Sequence, residues 1–218
     1  MAEYVPNLAN QRVAVLANHT AMVGDTHLVD TLVAQGVNVV GIFAPEHGFR
    51  GGADAGEHVA NSTDEKTGIP IWSLYDGRTQ RPADKVMQAF DLLVVDMQDV
   101  GLRFYTYYIT MLRMIDACAD FGRRVIVLDR PNPIRGDIIE GGCAEPFSYC
   151  LLAGFDSPVR HGMTVGELAL MYNEEKKIGA QLTVIPFTGW DRSMFYEQTG
   201  LVWMPPSPNI PTVDSALY

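Results

Sequence analysis

Asp91-Leu92-Leu93-Val94-Val95-Asp96 is the stretch that decides the fold. Four aliphatic residues, two of them β-branched, stand between two acids with no alternation of polar and apolar positions. Such a run reads as a strand buried on both faces, which is the mark of a parallel sheet covered by helices. The flanking sequence agrees. Residues 82–90 read as a helix before the strand, and residues 108–121 as an amphipathic helix after it. Residues 124–128 form a further apolar run. Thr164 opens another helix, reaching about residue 177, with Glu167 at the capping-box position. Residues 181–185 read as a last strand, closed by Pro186.

Upstream, residues 12–17 (RVAVLA) read as the first strand and residues 25–34 as a helix, with Gly36 as its stop. Residues 37–43 give a second strand. Residues 61–68 are polar and loop-like, before a short strand at 69–74. Strands alternating with helices predict an α/β fold, a mostly parallel sheet with helices on both faces. Residues 204–211 (MPPSPNIP) exclude helix interior and central strand, and read as a stiff extended segment.

The chain has 218 residues and a formal net charge of −10, and no segment carries a run of Lys and Arg. That argues against nucleic acid as the main partner. No apolar run is long enough to cross a bilayer. The first residues are not a secretory signal. Cys118 falls in a helical pattern and reads as a small buried apolar residue. Cys143 and Cys150 are close enough in sequence to pair, although a chain of this size needs no staple. A dinucleotide-binding glycine turn, a phosphate loop, a nucleophile elbow and a His-Glu-x-x-His helix are all missing, and no cofactor is implied.

Four predicted strand ends carry polar clusters: Asn18-His19, Glu46-His47-Arg50, Asp96 to Arg103, and Asp129-Arg130-Asn132. In a parallel sheet all four converge on one rim, where ligands of open α/β sheets bind. Glu46 is the first candidate for a general acid, against the plainer reading of a solvated loop carboxylate. His47 reads as a base, as an orienting partner of Glu46, or as a structural histidine. Arg50, beside Gly51-Gly52, suits an anion clamp. Asp96 and Asp99 are candidate second carboxylates, and Asp96 is placed to hold His47 or Arg103. Gln98, Tyr105 and Tyr107 suit hydroxyl bonding or stacking on a sugar ring. Asp129 either pairs with Arg130 or binds sugar hydroxyls. His161 precedes a helix N-terminus. His19, His47 and Asp96 are an alternative metal set, which nothing in their spacing demands.

Taken together, Pro45-Glu46-His47-Gly48-Phe49-Arg50-Gly51, Asp96-Met97-Gln98-Asp99-Val100-Gly101 with Arg103 and Tyr105-Thr106-Tyr107, Asp129-Arg130-Pro131-Asn132-Pro133, Arg160-His161-Gly162-Met163-Thr164 and Pro205-Pro206-Ser207-Pro208-Asn209 resemble one family. It is the family long called domain of unknown function 1343, whose members include exo-β-N-acetylmuramidases of the NamZ type. The resemblance implies a Rossmann-like catalytic domain, set here at residues 1–186. Residues 187–218 would be the Pro-rich start of a C-terminal region that family members continue. It implies release of terminal N-acetylmuramic acid from peptidoglycan fragments, outside the cell or in the periplasm.

On that reading Glu46, His47, Asp96 and Asp99 are the catalytic candidates. The glycan-binding candidates are Asn18, Arg50, Gln98, Arg103, Tyr105, Tyr107, Asp129, Arg130, Asn132, His161, Ser207 and Asn209. Arg50, Arg103 and Arg130 are candidates for the lactyl carboxylate of muramic acid. The substrate's own acetamido group is an alternative nucleophile, with an Asp orienting it. Two other classes compete: a peptidoglycan-recognition module without chemistry, and a metal-dependent hydrolase built on His19, His47 and Asp96.

Overall fold

The computed structural model describes residues 1–50, 60–74, 81–150 and 156–217. In chain order the strands are β1 (Val13–Ala17), β2 (Met22–Val23), β3 (Thr26–His27), β4 (Val39–Ala44), β5 (Ser62–Thr63), β6 (Pro70–Ser73), β7 (Leu92–Asp96), β8 (Arg124–Leu128) and β9 (Leu182–Ile185). The helices are α1 (Leu28–Ala34), α2 (Asp84–Met87), α3 (Thr106–Asp120) and α4 (Val165–Glu175). One sheet has the order β5-β6-β4-β1-β7-β8-β9, and every pairing in it is parallel except that of β5 with β6. With β5 set aside, the strands follow the doubly wound order 3-2-1-4-5-6. The topological switch lies between β1 and β7.

Alternation along the strands sorts the core into two layers. Val13, Val15, Ala17, Leu92 and Val94 face α1 and the 3-10 turn Val5–Leu8. Ala14, Leu16, Leu93 and Val95 face α2, α3 and α4. All ten residues of β1 and β7 are buried, as the unbroken apolar runs require. The registers Ala17↔Asp96, Leu16↔Phe43 and Val95↔Val127 bring the ends of β1, β4, β7 and β8 level. Gly41 of β4 lies under the Trp72 ring, where a Cβ would stand 2.1 Å from ring carbons.

Two predicted helices begin or end differently. The first starts at Leu28 rather than Asp25, because Thr26 and His27 pair with Met22 and Val23. The His27 ring then caps α1: Nδ1 accepts from the Val29 N–H at 3.2 Å, and Nε2 donates to the Asn18 carbonyl at 2.8 Å. The predicted helix at 82–90 shrinks to the single turn of α2. Beyond it, Phe90 packs edge-on against Phe43 and the Asp91 carboxylate is held by Arg12. The capping box of α4 forms as read, with Thr164 and Glu167 bonded reciprocally. Cys118 is buried in α3, and burial pushes its thiol up to about 12. Cys143 and Cys150 are both exposed, and no disulfide joins them.

Residues 187–217 hold two 3-10 turns, Tyr196–Thr199 and Val213–Ala216, and otherwise no helix or strand. Tyr196, Val213 and Ala216 pack with Val100, Leu102 and Ile134 in a small cluster beyond the ends of β7 and β8. The tail thereby lies against the carboxyl edge. No described helix is long and apolar enough to cross a membrane.

Burial lowers the His27 pKa below the ordinary imidazole value. A protonated Nδ1 could not accept from Val29, so the folded form keeps the ring neutral. The unfolded chain takes up a proton first as pH falls, so this contribution is complete above roughly 6.5 and declines below it. Thermal unfolding between pH 7.5 and 5.5 should show that decline, and His27→Gln should lack this part of it. An identical pH slope in the variant would refute the assignment.

Candidate active site

Because β4, β1, β7 and β8 end level, their exit residues share one edge. The loops there are joined by short polar contacts. Thr20 Oγ1 donates to Asn18 Oδ1 at 2.6 Å and accepts from the Gln98 N–H at 3.1 Å, joining the exits of β1 and β7. Gln98 Nε2 donates to the carbonyls of Asp99 and Pro131, extending the link to the exit of β8.

Glu46 follows β4 in a turn closed by the Gly48 N–H on the Pro45 carbonyl at 3.1 Å. His47 occupies the left-handed region at φ 68°, a conformation that costs a non-glycine residue on the order of 1 kcal/mol or more and persists where its surroundings fix it. Its ring is buried, with an edge toward Tyr107 at 6.4 Å between centroids. The turn thus sends His47 inward and leaves Glu46 half-buried at the edge. Thr106 Oγ1, at the first residue of α3, donates to Glu46 Oε2 at 2.9 Å. The Tyr107 hydroxyl lies 3.2 Å from the Glu46 carbonyl and 2.8 Å from that of Pro206. Burial pushes the Tyr107 phenol up to about 12, so it remains a donor. Burial first, then Tyr107, Asp99 and Glu46, raise the Tyr105 phenol as well. Tyr105 therefore sits within the field of both acids.

Asp99 follows β7 and is buried. Its Oδ2 accepts from the Gly101 N–H at 2.7 Å and lies 3.5 Å from His161 Nε2, while Oδ1 has no hydrogen-bond partner among the described residues. His161 Nδ1 accepts from the Met163 N–H at 3.1 Å, which leaves the proton of a neutral ring on Nε2, toward Asp99. Gly101 has φ 83°, and a Cβ there would meet Asn132 Oδ1 at 2.5 Å. Only glycine closes this turn.

Several expected site residues have partners inside the chain. Asp96 holds neither His47 nor Arg103; it forms a two-pronged pair with Arg130, at 2.5 and 3.0 Å. Its charge is matched and its side chain is buried. Arg50 is gripped by both oxygens of buried Asp64 at 2.9 and 3.0 Å and stacks over Phe49, so its charge is matched inside the chain. The adjoining Gly51-Gly52 lies outside the described residues. Arg103 donates to the carbonyls of Gly142 and Ser157, both at 2.7 Å.

Asp129 anchors the start of α4 through Thr164 Oγ1 and the Gly166 N–H, each at 2.8 Å, instead of pairing with the Arg130 guanidinium. Burial raises its carboxyl above the usual range. Asn132 bridges the Met163 carbonyl and the Ile134 N–H. Ser207 is buried and accepts from the Asn209 N–H, while Asn209 is exposed. His19 Nε2 bonds the Pro205 carbonyl at 2.7 Å. The His19, His47 and Asp96 set is therefore dispersed among other partners, and no three potential ligands cluster among the described residues.

Thr106, Thr20 and Asp64 carry roles that reading the residues alone had not assigned. Thr106 lies within the Tyr105-Thr106-Tyr107 motif, and its place at the start of a helix is the available signal. Nothing local marks Asp64 as the partner of Arg50.

Comparison with known proteins adds to this geometry. Residues 13–214 match the family model described as exo-beta-N-acetylmuramidase NamZ, N-terminal. The chain belongs to this family. It is 41% identical over 219 residues to the peptidoglycan beta-N-acetylmuramidase NamZ of Bacillus subtilis, covering 99% of this chain and 52% of that protein. Two crystal structures of DUF1343 family proteins from Bacteroides fragilis superpose with TM-scores of 0.91 and 0.86, at 39% and 43% identity. Each comparison covers 99% of this chain and 55% or 56% of the other. The chain thus spans about half the length of the NamZ-family relatives it matches. The Rossmann-like sheet read from the sequence is the fold of these neighbours.

Removing one member of the Asp96–Arg130 pair leaves a buried charge unmatched. Asp96→Asn should destabilise the fold by about 3–5 kcal/mol, measured by denaturant unfolding. Asp96→Leu combined with Arg130→Met should recover most of that loss. A single variant as stable as the parent would show that the pair is not a structural element.

Proposed function

We propose that this chain carries the general-acid side of a glycosidase cleft that releases terminal N-acetylmuramic acid from the non-reducing end of peptidoglycan fragments. Glu46 is the observation that carries the reading. It is a half-buried carboxylate on the carboxyl edge, oriented by Thr106 and set on a turn whose neighbour His47 is locked inward. Membership of a family that includes a peptidoglycan beta-N-acetylmuramidase supports the substrate class. Such substrates lie outside the cytoplasmic membrane, and the protein would act there.

A glycosidase must protonate the leaving oxygen and stabilise positive charge at the anomeric carbon. Glu46 donates that proton. Asp99 is the second acid. Asp99 is buried and backed by His161, which favours Asp99 as the group that orients the substrate's acetamido nitrogen or a water over direct attack by Asp99.

In a full-length family protein carrying this chain, Glu46→Gln should lower kcat on a chromogenic N-acetylmuramide by at least about a hundredfold, with little change in KM. Normal turnover by the variant would remove Glu46 from the acid role. Tight glycan binding with no sugar released by the parent protein would instead favour a recognition module.

A further inference from the structure

Glu46 is reached from two successive residues of α3. Thr106 holds its carboxylate, and Tyr107 meets its backbone. Tyr107 is only 1% exposed, so its ring offers no face for stacking on a sugar. The ring instead meets His47 edge-on at 6.4 Å and Tyr105 at 4.8 Å between centroids. Its hydroxyl proton is shared between two carbonyls, with the 2.8 Å contact to Pro206 the closer and the 3.2 Å contact to Glu46 the lesser.

The Glu46 carbonyl belongs to the peptide plane that joins Glu46 to His47. His47 stands at φ 68°, a left-handed conformation that persists where surrounding groups hold it. Rotation of that plane, through ψ of Glu46 and φ of His47, is the motion that would relax the turn carrying the Glu46 side chain. Tyr107 opposes it twice, with its hydroxyl on the carbonyl and its ring against the imidazole. The same hydroxyl holds Pro206, and the neighbouring Pro205 carbonyl is bonded by His19 at 2.7 Å. One buried side chain thus links the acid's turn, the start of α3 and the tail.

We propose that Tyr107 is a positioning residue that pins the left-handed turn carrying Glu46 and ties that turn to the seat of the tail at Pro206. The inference rests on the acid role proposed for Glu46. It gives Tyr107 a part that touches neither glycan nor reacting atoms. The acid is then placed by the tail as well as by the sheet, because a shift of residues 205–206 reaches the Glu46 carbonyl through one hydroxyl.

Tyr107→Phe keeps the ring and removes only the hydroxyl. In a full-length family protein carrying this chain, the variant should loosen two amides together: the Gly48 N–H, which closes the turn on Pro45, and the Ile210 N–H, which bonds Ser207. Their hydrogen exchange should become at least about tenfold faster relative to the amides of β7. The variant should also lose about tenfold or more in kcat on a chromogenic N-acetylmuramide with KM within about twofold, as expected when a reacting group is displaced and binding is kept. Unchanged exchange at Gly48, faster exchange at Ile210 alone, or an equal rise across β7 would overturn the proposal. So would a parental kcat in a protein that Glu46→Gln inactivates. Normal turnover by Glu46→Gln would remove the acid role by itself, and exchange at Gly48 would then still decide whether Tyr107 pins the turn.

Discussion

Strands β1 and β7 are covered on both faces, and every residue in them is buried. Their backbone groups are satisfied only by the ladders to β4, β8 and each other, and their side chains must be apolar. That constraint drives the chemistry to the strand ends. Because the four central strands are parallel and end level, the polar residues that terminate them arrive on one edge, at the switch between β1 and β7. The general-acid candidate and the buried Asp99–His161 contact both follow from that placement.

The edge is held rigid by groups whose charges are matched inside the protein. Asp96 takes up two nitrogens of Arg130, and Asp64 grips Arg50. Asp129 ties β8 to the start of α4. The tail is fastened differently, through backbone carbonyls: Pro205 by His19 and Pro206 by Tyr107. Prolines cannot donate a hydrogen bond, so a Pro-rich segment is held through its acceptors, and the His19 imidazole and the buried Tyr107 phenol meet that need. The tail consequently lies against the carboxyl edge.

Fold legibility came from particular segments. The Asp91 to Asp96 run could be nothing but a doubly covered strand, and the Thr164 and Glu167 spacing marked a capped helix start before any contact was seen. The helix after the first strand was read three residues too long, because a two-residue pairing between Met22–Val23 and Thr26–His27 is too short to leave a periodic signal. The four polar strand ends were legible as a set. The partner of each charge was not, since Asp96 and Arg130 are 34 residues apart in the chain and Arg50 and Asp64 are 14 apart.

The sequence by itself determined the alternation of strand and helix, the parallel sheet, and the residue types that crowd its carboxyl edge. Those features follow from local periodicity and from the cost of burying polar groups, which a linear chain displays. Only the tertiary structure decided which of those groups take partners inside the chain. It assigned Asp96, Arg50, Arg103 and Asp129 to internal partners, and set half-buried Glu46 beside Thr106. Hydrogen bonds and ion pairs are satisfied by whichever groups folding brings within about 3 Å, and that proximity is a property of the packed sheet, not of the order of residues along it.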